Sequence, residues 1–420
     1  MKALTLALLP WLAVIAGSAF GSEKTDWPQW RGPHFDGTST ETGLPLTFGE
    51  AENLEWKQAM PGRSGSTPIV VGDRIYLTVA LEDDTLEAWA LDASDGKIVW
   101  KRPLGGGNFF RMKHNMSSPS PVSDGDKVWV MAGTGVIKAF DRDGKELWAR
   151  NLQVDYGAFG LNHGYGASPL LADGVLYVPV LHGMTTDDPS YVVAIDAATG
   201  SNVWRVERPT DALMESPDAY TTPVLWDRGG TQELIVTGGD YVTGHDLESG
   251  RELWRVGGMN PDKAKMYRVV ASPVVSGEML MVPSRVRPLM GLSSTGAGTA
   301  PDVAWKIDKA TDVPTPSVHE GLLYVLTDRG LLSVWDVATG EAVYGPERLE
   351  TGTYSASPLV ADGKLYAVSE ESAVTVVKLG REFEVLAVNE LEGYSLASPV
   401  AAAGRLFLRT DRFLYSFDEP

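Results

Sequence analysis

Two short stretches concentrate the residue types that could hold or react with a ligand. Phe109, Phe110, Arg111, His114 and Asn115 fall within seven residues, and Tyr156, Phe159, Asn162, His163 and Tyr165 within ten. Asp218, Tyr220, Tyr267 and Arg268 follow further along. Aromatic plates, amides and guanidinium groups suit recognition by stacking and hydrogen bonding. Phe110, Arg111, His114, Asn115, Asn162, His163, Tyr165, Tyr220, Tyr267 and Arg268 are therefore the candidate ligand- or partner-binding residues. Side chains that merely plug a channel mouth are the competing reading of the same stretch.

No catalytic or metal-ligating set emerges. The chain has no cysteine, which excludes disulfides, thiolate metal sites and a lipidated N-terminal Cys. Its six histidines are scattered without metal-ligand spacing. Asp141-Arg142-Asp143-Gly144 begins like a calcium loop but lacks the distal Glu, and it sits where its repeat places a turn. Gly105-Gly106-Gly107 lacks the strand-to-helix setting of a phosphate loop, and no Gly-x-Ser-x-Gly element occurs.

The candidate residues lie between the elements of a repeat. A small residue followed by Pro recurs at Pro68, Pro121, Pro169, Pro223, Pro273, Pro316, Pro358 and Pro399, spaced 41 to 54 residues apart. In the clearest copy, short apolar runs at 168–171, 175–180, 191–196 and 202–206 are separated by turn residues such as Ala172-Asp173-Gly174. Four short strands per repeat is one propeller blade, so the spacing predicts an all-β, eight-bladed β-propeller of four-stranded antiparallel blades.

The fourth strand carries an aromatic: Trp100, Trp148, Trp204, Trp254, Trp305 and Tyr344, with a degenerate copy near Val385. Asp-x-x-Thr-Gly-x-x-x-Trp precedes it at Asp196 to Trp204, with near copies elsewhere. Gly allows the positive φ of a tight turn, Asp can bond the turn backbone, and Trp supplies a plate to bury against the next blade. Trp56 precedes the first Pro element, and the last copy stops after three strands. Counting then requires the Trp56 strand to complete the last blade and close the ring, leaving no free edge.

Joins from fourth-strand aromatic to the next Pro run 12, 21, 21, 19, 19, 11 and 14 residues, starting at Trp56. The four long joins enter blades two to five and share one half of one face with the His182-to-Ser190 turn. All the candidate residues fall on them. Loops on a rigid scaffold commonly carry function.

The repeat, from about Leu54 to Phe417, resembles the pyrroloquinoline-quinone-type propeller family. That family includes quinoprotein dehydrogenases and non-enzymatic BamB-like propellers, and Asp26-Trp27-Pro28-Gln29-Trp30-Arg31-Gly32-Pro33 looks like the leader of the latter. The octapeptide has no chemistry legible in its sequence. The resemblance implies a non-enzymatic binding scaffold for an envelope protein or glycan. A quinoprotein-like oxidoreductase is the alternative, and a carbohydrate-active propeller enzyme a third. A dehydrogenase would be expected to hold pyrroloquinoline quinone with calcium and, in many members, a ring of adjacent cysteines. Without cysteine or a mappable calcium site, no cofactor and no metal are expected.

The formal charge of −19, with 36 basic against 55 acidic residues, argues against nucleic acid as a partner. Lys2, the apolar run from Ala3 to about Ile15 and the small residues Ala16 to Ala19 read as a signal peptide. An uncleaved anchor is the alternative, since Ala3 to Gly21 nearly reaches membrane length. The expected organisation is a signal peptide over 1–21, an extension over 22–47 and the propeller over 48–420. The product would be exported to the periplasm or beyond, not lipid-anchored, monomeric, and without a membrane span after cleavage.

Overall fold

The computed structural model describes residues 26–295 and 299–419; the signal-peptide reading lies outside them. Eight four-stranded antiparallel sheets are arranged as the blades of a propeller. Blade 1 comprises Ile69–Val71, Arg74–Ala80, Leu86–Asp92 and Ile98–Gly105, in that order from the channel outwards. Blades 2 to 7 repeat the plan. Blade 8 takes Val400–Ala402, Arg405–Arg409 and Phe413–Phe417 from the end of the chain and Leu54–Ala59 from near its start. Lys57 lies opposite Tyr415 in that antiparallel pair, so the ring closes as the repeat count requires. No helix among the described residues is long and apolar enough to cross a membrane.

The residue before each repeat proline builds the inner wall. The backbone N–H of Thr67 donates to Ser120 Oγ at 3.0 Å, Ser120 to Ser168 at 2.9 Å, and Ser168 to Thr222 at 3.0 Å. Thr222 donates to Ser272, Ser272 to Thr315 and Thr315 to Ser357, each at 2.9 Å. Ser357 donates to Ser398 at 3.0 Å, and Ser398 returns to Thr67 Oγ1 at 3.1 Å. Each position thus needs a hydroxyl to accept from one neighbour and an N–H to donate to the other. The proline that follows keeps its predecessor extended.

The outer wall is built from the aromatic and the turn. Each aromatic follows a one-residue bulge in its strand, as where Ala194 faces Trp204 but Ile195 faces Asn202. The Trp204 indole donates to Leu247 O of the next blade at 2.8 Å and covers Gly250, whose φ is +72°. A Cβ on Gly250 would lie 2.4 Å from that ring, so both the conformation and the close approach require glycine. Trp56, Trp100, Trp148 and Trp305 likewise donate to backbone carbonyls of the following blade, at Ala93, Arg142, Ala197 and Val337. Trp254 departs from the pattern: its indole donates to Glu233 within its own blade. Tyr344 is half-buried against Phe383, with ring centroids 6.0 Å apart. Burying about 150–250 Å² of each Trp stabilises an interface by up to about 4–6 kcal/mol.

The turn aspartates act locally. Asp196 Oδ1 accepts from the Thr199 backbone at 2.8 Å, and Asp141 Oδ1 from the N–H groups of Asp143 and Lys145. Asp141-Arg142-Asp143-Gly144 is accordingly a strand connection in blade 2, between Val136–Asp141 and Glu146–Asn151.

Candidate functional site

The N-terminal extension closes the channel from the face opposite the long joins. Each innermost strand starts at the join face, so Val70, Ser123, Val360 and Ala401 lie toward the other side. There Trp27 bridges Val70, the Ser123 N–H donates to Pro28 O, Thr38 bridges Val360, and Ser39 Oγ donates to Ala401 O. Arg31 enters the channel itself. Its guanidinium, almost fully buried, donates to the carbonyls of Pro358 at 2.9 Å and Pro316 at 2.6 Å and to Ser317 Oγ at 2.8 Å. Burial pushes its pKa down to about 10, leaving it charged at neutral pH. The octapeptide that is silent in sequence is thus a plug.

Above the plug, a cavity of about 370 Å³ opens toward the long joins. Trp30 contributes to its lining, as do six hydroxyl-ring residues: Ser120, Ser168, Thr222, Thr315, Ser357 and Ser398. Arg111, His114, His163, Tyr220 and Arg268, five of the sequence-predicted residues, also line it.

A short hairpin spans the mouth. Phe110–Arg111 pairs with His114–Asn115, placing Met112 and Lys113 at the tip. The Lys113 ammonium crosses to blade 7, where it meets the Glu370 carboxylate and donates to Ser355 Oγ at 2.6 Å. Glu370 also accepts from the Tyr394 hydroxyl, and the Arg63 guanidinium lies 4.0 Å over the Tyr394 ring. On the near side Arg111 donates to the carbonyl of Asn162 at 3.1 Å. Neither Lys113 nor Glu370 stands out in the sequence, because a 257-residue separation leaves no local signal.

The walls hold charge in pairs. The buried Glu215 carboxylate accepts from Asn162 Nδ2 at 2.9 Å and lies 3.3 Å from His163 Nε2 and 3.8 Å from Arg268. Asp218, fully buried, accepts from the backbones of Asn162 at 2.7 Å and Met184 at 3.1 Å, tying three loops together. Burial pushes its pKa up to about 6, against the pull of those N–H groups. Burial also holds His163 below its ordinary value and pushes His114 down to about 4, so both imidazoles are neutral near pH 7. Ser118 Oγ meets His114 Nδ1 at 2.8 Å, but it also donates to Asn115 O at 2.9 Å. The other His114 nitrogen is buried and meets no carboxylate, so none orients this pair as a nucleophile and base require.

The other candidates divide between scaffold and surface. Asn115 is buried, accepting from Ser117 and donating to Arg63 O. Tyr165 is fully buried and donates to Pro179 O at 3.0 Å; Tyr267 is buried and donates to Arg287 O. These three turn inward, Tyr165 onto a blade strand and Asn115 and Tyr267 onto neighbouring joins and turns, because a large aromatic or amide on a long join has its own apolar and polar needs to satisfy. Asn162 braces the wall through Glu215 and Asp218. Phe110 projects outward, 57% exposed.

A family model described as "Outer membrane protein assembly factor BamB" matches residues 50–153, 133–300 and 294–383. An outer membrane protein assembly factor BamB of Moranella endobia (strain PCIT) is 27% identical over 310 residues, covering 70% of this chain and 72% of the relative. A quinohemoprotein alcohol dehydrogenase of Pseudomonas putida is 28% identical over 195 residues, which is 45% of this chain but 19% of that protein. Among solved structures, BamB from Moraxella catarrhalis superposes with a TM-score of 0.63 at 13% identity, covering 86% of this chain and 98% of its own. A europium-containing methanol dehydrogenase gives 0.71 at 14% identity, covering 92% and 90%. At those identities the structures attest the shared propeller fold. The family match spans most of the chain, and the protein belongs to the BamB family of outer membrane protein assembly factors.

Proposed function

We propose that this propeller is an exported, non-enzymatic scaffold of the cell envelope that holds a protein partner on the face carrying the long joins. One observation carries the reading. Among the described residues, the large apolar side chains left exposed outside the blade strands are Phe109, Phe110, Met112, Val154, Leu213, Met214, Met266 and Val286, at 45–85% exposure. All eight lie on the joins entering blades two to five or on the adjoining blade-five turn, hence on one half of one face. The remaining exposed large apolar residues sit on outer strands, at positions such as Val99 and Val203. An apolar arc around a rigid rim, flexible at three methionines, suits a protein surface. It suits a glycan less well, for want of exposed Trp or Tyr plates. Relatives named for outer membrane protein assembly make an envelope protein the natural partner class.

A calcium-held quinone does not fit the cavity. Its wall carboxylates are Asp312 and Asp328, and Asp312 is flanked by Arg268 at 4.0 Å and Arg285 at 3.7 Å. Among the described residues no group of three or more His, Asp or Glu is arranged to hold a metal ion. The reading therefore includes no cofactor and no reaction.

The test is site-specific photo-crosslinking in the native envelope from positions 110, 112 and 214, with 203 and 388 on outer strands as controls. A discrete protein adduct confined to the first set supports the reading. Adducts of equal yield from both sets, or none, would sink it. Intact mass of the envelope protein tests export: loss of about 19–21 residues without added lipid is expected.

A further inference from the structure

The opposite face carries a second cavity, and its chemistry differs from the first. The extension crosses the bottom of blades 1 and 2, enters the channel, and leaves over blades 7 and 8, as its bonds to Val70, Ser123, Val360 and Ala401 record. That path touches blades 3 and 4 only at their edge, where Phe35 packs against their core. A cavity of about 950 Å³ lies there, between the extension and the turns of blades 2 to 4. Phe35, Leu171 and Leu225 make it partly apolar.

Its charge is one-sided. Asp124, Asp173 and Asp227 contribute to the lining, and no Lys or Arg does. Each Asp belongs to a different blade, so the carboxylates line one side of the space along three neighbouring turns. Asp124 has a partial counter-ion in Lys127, 3.8 Å away. Gln29 lines the same cavity from the extension side; it is 6% exposed, and its Oε1 is buried without a hydrogen-bond partner. Apolar walls and three carboxylates together call for an occupant with an apolar body and cationic N–H donors.

We infer that this groove is a docking site for a basic segment of a partner polypeptide, with Lys or Arg side chains reaching the carboxylates while their stems and neighbouring apolar residues cover Phe35, Leu171 and Leu225. Charge complementarity selects that occupant: long basic side chains lay their methylenes along apolar surface and keep the charged head at the acidic edge. The site is independent of the apolar arc, being on the other face.

The test uses the mature full chain and a fluorescein-labelled hexapeptide of alternating Leu and Arg, followed by anisotropy at about physiological salt, where weak surface attraction is screened. Asp173→Asn combined with Asp227→Asn is the main variant. Asn tolerates the left-handed backbone at 173 (φ 47°) and keeps the oxygen that accepts from the Gly230 N–H at 227. Binding about tenfold weaker or worse is expected. The control, Asp95→Asn with Glu341→Gln, removes the same charge from the same face outside the groove and should leave affinity unchanged. Equal losses in both double variants would reduce the effect to the net charge of the chain and overturn the proposal. So would absence of binding, or binding of spermidine without the peptide.

Discussion

The backbone N–H of Ser398 donates to Thr67 Oγ1 at 3.1 Å across 331 residues of sequence, and that bond closes the circle of hydroxyls around the channel. Thr67→Val keeps shape and removes the acceptor, leaving a buried N–H unpaired. The expected cost is about 1–3 kcal/mol, read as a shift in the denaturant midpoint. Thr67→Ser should be close to neutral. Equal stability of the Val and Ser variants would deprive the hydroxyl ring of its structural role.

Trp204 and Gly250 form one joint between two blades. Trp204→Ala should lose about 3–5 kcal/mol. Gly250→Ala places a methyl on the ring in a left-handed turn, and should also destabilise, by more than about 1 kcal/mol. Because the two share one contact, the double variant should cost less than the sum. Strict additivity by chemical denaturation would show that the joint is not shared.

Rim and scaffold should separate cleanly by mutation. Phe110→Ala and Met112→Ala remove exposed side chains, and a change within about 0.5 kcal/mol in stability is expected. Each should weaken a cross-linked partner by more than about 1 kcal/mol. Tyr165→Ala, by contrast, empties a fully buried position and should cost about 3–5 kcal/mol. If both sets lowered melting temperature alike, the long joins would be structural plugs.

His245 supplies a pH dependence. Its imidazole is buried between Gly250 O at 3.0 Å and Thr243 Oγ1 at 2.9 Å, and burial pushes it down to about 4. A lowered histidine favours the folded state only while it is neutral. Its contribution is complete above the ordinary value of about 6.5 and is lost as pH falls toward 4. Asp218 acts in the opposite sense, since its raised value lets the folded chain take up a proton below about 6. Between about pH 7 and pH 5, His245 alone should account for a loss of about 2 kcal/mol. That part should vanish in His245→Gln; an unaltered pH profile in this variant would refute the assignment.

The propeller was legible because its repeat is written in register. Eight prolines, the Asp-x-x-Thr-Gly turns and the surplus Trp56 were enough to give the blade count and the closing strand. The cavity was legible only by location. Join lengths pointed to one half of one face, and Arg111, His114, His163, Tyr220 and Arg268 meet there around a cavity. The same join lengths could not distinguish outward Phe110 from inward Tyr165, since both are aromatics on irregular backbone. Arg31 was missed as a plug residue because its partners, Pro316 and Pro358, lie about 300 positions away. The signal available was an aromatic-rich octapeptide standing outside the repeat register.

The pairing of Leu54–Ala59 with Phe413–Phe417 sets a condition on how this molecule can form. The first strand to emerge during synthesis has no partner until the last one arrives. Until then it is an unpaired edge carrying Trp56, exposed to any strand that could substitute for its own. Such distant closure makes folding slow and the intermediate prone to exchange with a second copy. It also concentrates resistance in one event: once the latch is shut, no blade can peel away from an end, because the ring has none.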